Sequence, residues 1–307
     1  MIRSSIDLGT NTCLLLVVDW DREKNQIRKV LGDFSTQVRL GEKVDRDRKF
    51  RPEAMLRTLA CLEAYAKKLI SLGGDPRDTL CVATSQARGA QNSQEYFAQI
   101  QSKLGFSFQV ISGEQEAQAT FLGALLPGMS PGSSYVIDIG GGSTEIISKN
   151  HKVSVDMGAV RFTERFLLSD PVTEIEFARC QAEIDRLLEA SGFSGVDPSS
   201  VLVAVAGTAT TLASWHLGLS AFVPEKINFA VLTRQNLEKF VNELKRQTLQ
   251  ERRESLGFEA SRADVILAGA LILWRAVEKL GFQQCQVSIQ GLRYGVLLSE
   301  SLKTQGR

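Results

Sequence analysis

The sequence predicts an α/β protein built as two lobes. Three observations predict it. Strand and helix signals alternate along the chain, a strand–turn–strand opening occurs twice, and a segment dense in Pro, Gly and Ser (PGMSPGSS, 127–134) lies between the two copies. The length agrees: at roughly 100–200 residues per domain, 307 residues make about two domains, each able to bury its own core. The expected domains are 1–126 and 127–307.

The first opening is a short strand at 5–7, a turn, and a returning strand at 12–19 rich in Leu and Val. Pro52 stands at a first helical position. Met55, Leu59, Leu62, Ala66 and Leu69 follow at three- and four-residue steps until Gly73-Gly74 ends the pattern. A buried strand at 80–84, an amphipathic helix at 93–104 and a strand at 108–111 come next. Ser112-Gly-Glu-Gln115 is a capping box that opens a helix at 113–126. Beyond the linker the strand–turn–strand pattern returns at 135–147. Thr173 with Glu176 is a second capping box, starting a helix of about five turns. A strand at 201–206, helices at 233–250 and 262–280, a short strand at 287–289 and a closing helix at 291–302 complete the expectation.

Composition removes several classes. Hydrophobic residues at 43% and charged residues at 23% describe a folded soluble protein and exclude intrinsic disorder. A net charge of +1 gives no whole-molecule field for a polyanion, so no nucleic-acid partner is expected, and any phosphate-rich ligand needs a local basic patch. The five cysteines are odd in number, scattered and never in CxxC spacing, which speaks against disulfides and structural zinc and suits a reducing cytosol. The apolar stretch 13–18 ends at Asp19, too short for an export signal, and 265–274 falls short of the ~20 residues that span a bilayer. A cytoplasmic protein without a membrane partner is expected. His151 and His216 fit no HExxH or nucleophile pattern and read as structural.

The repeat is the central feature. IDLGTNT (6–12) aligns with IDIGGGS (137–143) as I-D-[LI]-G-x-x-[ST], and each copy continues into an apolar strand. Such a turn presents consecutive backbone N–H groups, and glycine allows a phosphate to come close to them. The aspartate repels phosphate, which points to a divalent cation between carboxylate and phosphate oxygens. Hairpin turns with Asp and Gly also occur with no ligand. The same pattern at matching offsets in two lobes is what favours a grip on a phosphate chain from opposite sides of a cleft. Neither GxGxxG nor GxxxxGK[ST] spacing is present.

IDLGTNT, IDIGGGSTE and the glycine turn AGTAT (206–210) resemble the two phosphate loops and the adenosine-type loop of the actin-like superfamily. ATSQARGAQN (83–92), SGEQEA (112–117), MGAVRFTE (157–164) and GLRYG (291–295) resemble, in order and over essentially the whole chain, the exopolyphosphatase / guanosine pentaphosphate phosphatase (Ppx/GppA) family. The resemblance implies two ribonuclease-H-like (actin-like) lobes flanking an interdomain cleft, with the closing helix from about residue 291 crossing back to the first lobe.

It also implies magnesium-dependent hydrolysis of the terminal phosphoanhydride of inorganic polyphosphate or guanosine pentaphosphate, with Mg²⁺ or another divalent cation as cofactor. By the same resemblance, Glu116 is the catalytic glutamate that activates water. Thr10, Asn11, Arg88, Gly141, Gly142, Ser143, Gly207, Thr208 and Arg293 hold substrate phosphates. Asp138, its counterpart Asp7 and Glu145 hold the metal. A helix dipole favours the ionised form of a carboxylate in its first turn, and phosphoryl transfer to water needs a proton acceptor and charge neutralisation.

Tyr294 stands where the family commonly carries Glu. Longer members append a helical region after the two lobes, so weak processivity is expected of this chain, with a homodimer as the one route to a longer basic track. The alternatives are a small-molecule phosphotransferase of the same fold and a polyphosphate- or alarmone-binding scaffold with little turnover. Free phosphate released without an acceptor separates the hydrolase from both.

Overall fold

A computed structural model describes residues 1–193, 197 and 199–299. The chain begins with strands β1 (Ile2–Leu8), β2 (Thr12–Asp21) and β3 (Gln26–Gln37), followed by helices α1 (Val44–Asp47) and α2 (Pro52–Ser71). Then come β4 (Leu80–Ala83), α3 (Ser85–Gly89), α4 (Ser93–Leu104), β5 (Phe108–Val110) and α5 (Gly113–Ala124). After the linker run β6 (Ser134–Ile139), β7 (Thr144–Ile147), β8 (Lys152–Val155), α6 (Ala159–Phe166) and α7 (Glu174–Ala190). Next are β9 (Val201–Val205), α8 (Ala206–His216), α9 (Pro224–Ile227), β10 (Val231–Thr233), α10 (Arg234–Arg246) and α11 (Leu249–Leu256). The described chain closes with α12 (Ile266–Lys279), β11 (Gln284–Val287) and α13 (Leu292–Leu298).

The elements fall into two compact units. Met1–Gly123 and the segment from Gly291 form the first, and Ala124–Gln290 the second. The first carries a sheet ordered β3-β2-β1-β4-β5, the second one ordered β10-β11-β9-β6-β7-β8. In both, a three-stranded antiparallel meander continues into parallel strands reached through helical crossovers. Position for position β8-β7-β6-β9-β11 repeats β3-β2-β1-β4-β5, and β10 is an added edge. The sequence repeat at 6–12 and 137–143 is thus the visible part of a repeated topology.

Each sheet buries its own core. In the first unit Ile6, Leu8, Leu15 and Val17 pack with Leu62, Tyr65 and Leu69 of α2. In the second, α12 is buried along nearly its whole length and packs with Ile137, Ile146, Leu212 and Val241. Its all-round apolar character, the longest such run in the chain, is that of a central core helix. Among the described residues no helix is long and apolar enough to cross a membrane.

Helix α13 lies in the first unit, where Leu292 and Val296 pack with Val82, Ile111 and Ala119. Gly123 and Gly295 make this close approach possible: a Cβ on either would collide with backbone of the facing helix segment.

Several elements differ from the sequence expectation. The pattern read as one helix at 233–250 is two helices, α10 and α11. Thr248 and Glu251 form a complete capping box that ends the first run and starts the second. The helix expected at 262–280 begins at Ile266, after a 3₁₀ turn over 257–262. The last strand is Gln284–Val287, earlier than 287–289. Residues 300–302 of the expected closing helix lie outside the described residues. Strand β3, twelve residues long, carries no apolar strand pattern, because its sequence is largely polar and its residues largely exposed at the sheet edge.

Candidate active site

Three first-unit segments converge around Glu116. Ser112 caps α5: its hydroxyl accepts the Gln115 N–H (3.2 Å) and the Gln115 side chain accepts the Ser112 N–H (3.0 Å). The cap places Glu116 in the first helical turn, facing inward and only 7% exposed, while Glu114 faces solvent. Arg88 on α3 donates through Nη1 to a Glu116 carboxylate oxygen (2.9 Å) and to the Ile111 carbonyl (2.8 Å). Its side chain stays 29% exposed. The Thr84 hydroxyl, at the β4–α3 junction, donates to the Gln86 side-chain oxygen (3.3 Å). Burial pushes the Glu116 pKa above its ordinary value, and the Arg88 guanidinium limits that rise.

The repeated turns have the same hairpin geometry. Asp7 pairs with Leu14 and Leu8 with Cys13, and Asp138 pairs with Glu145 and Ile139 with Thr144. The Gly9 N–H donates to the Thr12 carbonyl (2.9 Å), as the Gly140 N–H does to that of Ser143 (3.0 Å). The outer side of each turn is held by a neighbouring segment. The Thr10 carbonyl accepts from Gly41, and that of Asn11 from Val38 and Arg39. In the second unit the Gly140 carbonyl accepts from Ala159, and that of Gly141 from Val160 and Arg161, at the start of α6. In a planar trans peptide the carbonyl and the following N–H point to opposite sides. The N–H groups of Asn11, Gly141 and Gly142 therefore face away from these holding segments, as an anion-binding turn requires.

The two turns differ in one respect that bears on a cation. Asp138 and Glu145 are directly opposed across β6 and β7 and so share one face of the sheet, whereas Leu14 opposes Asp7. Glu145 is 1% exposed and one of its oxygens accepts the Ser154 hydroxyl (2.6 Å). Among the described residues no group of three or more His, Cys, Asp or Glu is arranged to hold a metal. One or two carboxylates without a full cage suit Mg²⁺, which keeps several waters and leans on substrate phosphates. Asp138 and Glu145 supply the hard oxygen donors that Mg²⁺ takes.

A model of the Ppx/GppA phosphatase family matches residues 19–304. The chain belongs to this family. It is 33% identical to exopolyphosphatase 2 of Mycobacterium tuberculosis over 96% of this chain and 97% of the relative. It is 30% identical, over 91% of its own length, to a bifunctional 3-dehydroquinate synthase/phosphatase of Fusobacterium nucleatum, of which it spans 44%. It is 29% identical, over 96% of its length, to a guanosine-5'-triphosphate,3'-diphosphate pyrophosphatase of Pseudoalteromonas atlantica, of which it spans 57%. Among solved structures, the Aquifex aeolicus family member superposes with a TM-score of 0.77 at 28% identity, covering 99% of this chain and 98% of that one. An exopolyphosphatase from Cytophaga hutchinsonii gives 0.84 at 26%, covering 97% and 96%. The two units thus have the α/β fold of solved members of this family of phosphoanhydride hydrolases.

Within the first unit, the fold brings Glu116 and Arg88 into direct contact and holds Thr10 and Asn11, both buried, in the β1–β2 turn, with Asp7 at its strand end. In the second unit Asp138, Gly141, Gly142, Ser143 and Glu145 cluster at the β6–β7 turn. Other residues have different surroundings. Thr208 is buried against Gly269 of α12, and Gly207 is covered by the Arg262 guanidinium, so closely that a Cβ would collide with each. Arg293 donates to both oxygens of Asp33 (2.8 and 2.8 Å), and Tyr294 donates to the same carboxylate (2.9 Å). Tyr294 is buried with Leu16, Val18 and Leu297, so here it secures α13.

Sequence reasoning does not single out Thr84 or Gln86. Gln86 is 3% exposed, and its partners Thr10 and Leu8 are 76 and 78 residues away. The only sequence signal is a polar Gln inside an otherwise core-facing motif.

Proposed function

We propose that the protein hydrolyses the terminal phosphoanhydride of inorganic polyphosphate or of guanosine pentaphosphate, releasing phosphate, with Glu116 as general base. The observation that carries this reading is the buried Glu116 carboxyl, its pKa raised by burial and its charge balanced by one partly open arginine. A carboxylate with a raised proton affinity accepts a proton from water more readily. Arg88 uses Nη1 for Ile111 and Glu116, and its remaining guanidinium edge suits the oxygens of a phosphoryl group beside that water. The outward Asn11 N–H in the first unit, and in the second those of Gly141 and Gly142 with the Ser143 hydroxyl, each suit the oxygens of a phosphate. Mg²⁺, or another divalent cation, would be held by Asp138 and Glu145 in the second unit, with Asp7 in the equivalent place of the first, and would supply neutralisation of phosphate charge. A transferase would need an acceptor pocket from which water is excluded. An activated-water glutamate favours hydrolysis instead.

The test is phosphate release from long-chain polyphosphate and from guanosine pentaphosphate, each with and without magnesium and with no acceptor present. Free phosphate in the magnesium arms is expected. No release from either substrate, or phosphate appearing only on an added acceptor, overturns the reading.

A further inference from the structure

The segment 39–51 concentrates positive charge. It carries six basic residues against three acidic ones, in a chain whose net charge is +1. Three of those bases, Arg39 (φ 51°), Lys43 (φ 58°) and Arg48 (φ 55°), hold the left-handed backbone conformation. Among the described residues only Asn25, Ala206 and Phe229 share it without being glycine. The conformation is costly for a residue with a side chain, and it persists where the surroundings impose it, often at ligand sites.

Two neighbours fix this segment within the first unit. The Arg39 and Gly41 N–H groups donate to the carbonyls of Asn11 (3.0 Å) and Thr10 (2.8 Å) in the phosphate turn. Helix α1, with Lys43 at its N-cap and Arg48 at its C-cap, lies against α3, where Val44 meets Gly89, the residue after Arg88. The Arg48 carbonyl accepts the Gln91 N–H (2.9 Å), so its backbone is tied down three residues beyond Arg88. Ion pairs engage Arg46 and Arg51 with Asp47, and Arg57 with Glu42. Arg48 and Lys49 are exposed, with no ion pair among the described residues.

We propose that the C-terminal end of α1 is a polyphosphate subsite, in which Arg48 and Lys49 bind phosphates of a long inorganic chain beyond the one next to Arg88. The proposal deepens the hydrolase reading above and rests on it for the place of the reacting phosphate. A protein of nearly balanced charge has to take hold of a polyanion through a local patch, and this one adjoins both the phosphate turn and Arg88. The left-handed cap at Arg48 holds one base where a relaxed helix end would not. In guanosine pentaphosphate a nucleoside follows the 5′ phosphates, so cations continuing past Arg88 favour the inorganic chain as substrate. Two such bases grip a few phosphates and fall short of a long track.

The experiment titrates long-chain polyphosphate, tripolyphosphate and a single-stranded oligonucleotide into the full chain by calorimetry. The Glu116→Gln background is used so that turnover does not consume the ligand. Arg48→Gly removes the guanidinium and suits the left-handed backbone, so the melting temperature holds or rises. Its Kd for the long chain is expected to rise about two- to fivefold, as is that of Lys49→Ala. The slope of log Kd against log salt falls by about one for each charge removed. Arg48→Lys restores the long-chain affinity, and tripolyphosphate binding changes little throughout. Unchanged long-chain affinity in both Arg48→Gly and Lys49→Ala overturns the proposal. So does an equal loss for tripolyphosphate, an oligonucleotide bound as tightly and weakened as much, or weakening that comes only with a lower melting temperature. Phosphate release by the wild-type chain is measured alongside. Release with unresponsive long-chain binding defeats the subsite and leaves the hydrolase reading intact. Binding that responds as stated with no release does the reverse.

Discussion

A carboxyl group buried to 7% exposure is an unusual residue for a first helical turn, and at Glu116 it makes catalysis and stability pull in opposite directions. Glu116→Gln keeps the shape and the hydrogen bond from Arg88 but cannot accept a proton. The rate at saturating substrate is expected to fall about 10²–10⁴-fold, with binding retained. Exposed Glu114 is the control, and Glu114→Gln is expected to be nearly silent. Turnover within about threefold of wild type for Glu116→Gln removes this residue from the mechanism. Stability should move the other way with pH. Because burial raises the folded-state pKa, the contribution of Glu116 is present below the unfolded glutamate value and is lost as pH rises through the folded value. The melting temperature of Glu116→Gln relative to wild type should therefore increase with pH across that window, and a flat difference would contradict the burial effect. Asp138→Asn tests the cation separately, by raising the magnesium concentration needed for half-maximal rate. An unchanged magnesium titration would take Asp138 out of the metal site. At this scale the sequence motif points to Glu116 and Arg88, which the fold brings into contact, but not to Gln86, because its buried hydrogen bonds to Thr10 and Leu8 join distant residues and leave no local pattern.

Helix and strand ends show which signals a sequence carries. The Ser112 and Thr173 capping boxes, Pro52 at the start of α2 and the exact span of α4 were legible, since each depends on residues within one turn. Strand β3 and the break between α10 and α11 were not. The first is stabilised by pairing with β2 and not by apolar alternation, and the second needs Thr248 to compete with a continuing helical pattern. The turn at 140–143 owes its shape to α6, whose first N–H groups bond the Gly140 and Gly141 carbonyls, and Gly158 lets that helix come close. Gly158→Ala would drive a methyl into the Gly141 carbonyl. Overpacking of this kind costs about 1–3 kcal/mol. The expected result is a lower melting temperature together with weaker phosphate-substrate binding. Gly132→Ala, where a Cβ meets nothing closer than 3.7 Å, is the control. Loss of stability without loss of binding would show that the turn keeps its shape without α6.

On the scale of the whole chain, the two units are built from a repeated topology but closed differently. The second is one continuous segment, whereas the first is completed by α13 from the far end of the sequence. Each has an arginine anchored by a carboxylate far away in sequence. Arg293 of α13 holds Asp33 of β3, and Arg275 of α12 holds Asp185 of α7 with Nε at 2.7 Å and Nη2 at 2.9 Å. Both arginine side chains are little exposed, so removing the acid costs each guanidinium a bidentate, poorly solvated ion pair, while Arg275 keeps Glu278. At Asp33 the Tyr294 hydroxyl loses its acceptor as well. Breaking a buried pair costs about 3–5 kcal/mol, and the partial exposure of both acids places these at about 3 kcal/mol or below. The prediction concerns where that cost falls. Asp33→Ala should accelerate amide exchange in β1, β2 and β3 while β6 and β9 stay protected. Asp185→Ala should do the opposite. If Asp33→Ala releases both sheets equally, the units unfold as one and α13 is not a private fastening of the first. If it releases neither, the burial of Leu292, Val296 and Leu297 alone holds the helix, and the Arg293–Asp33–Tyr294 contact adds nothing to it.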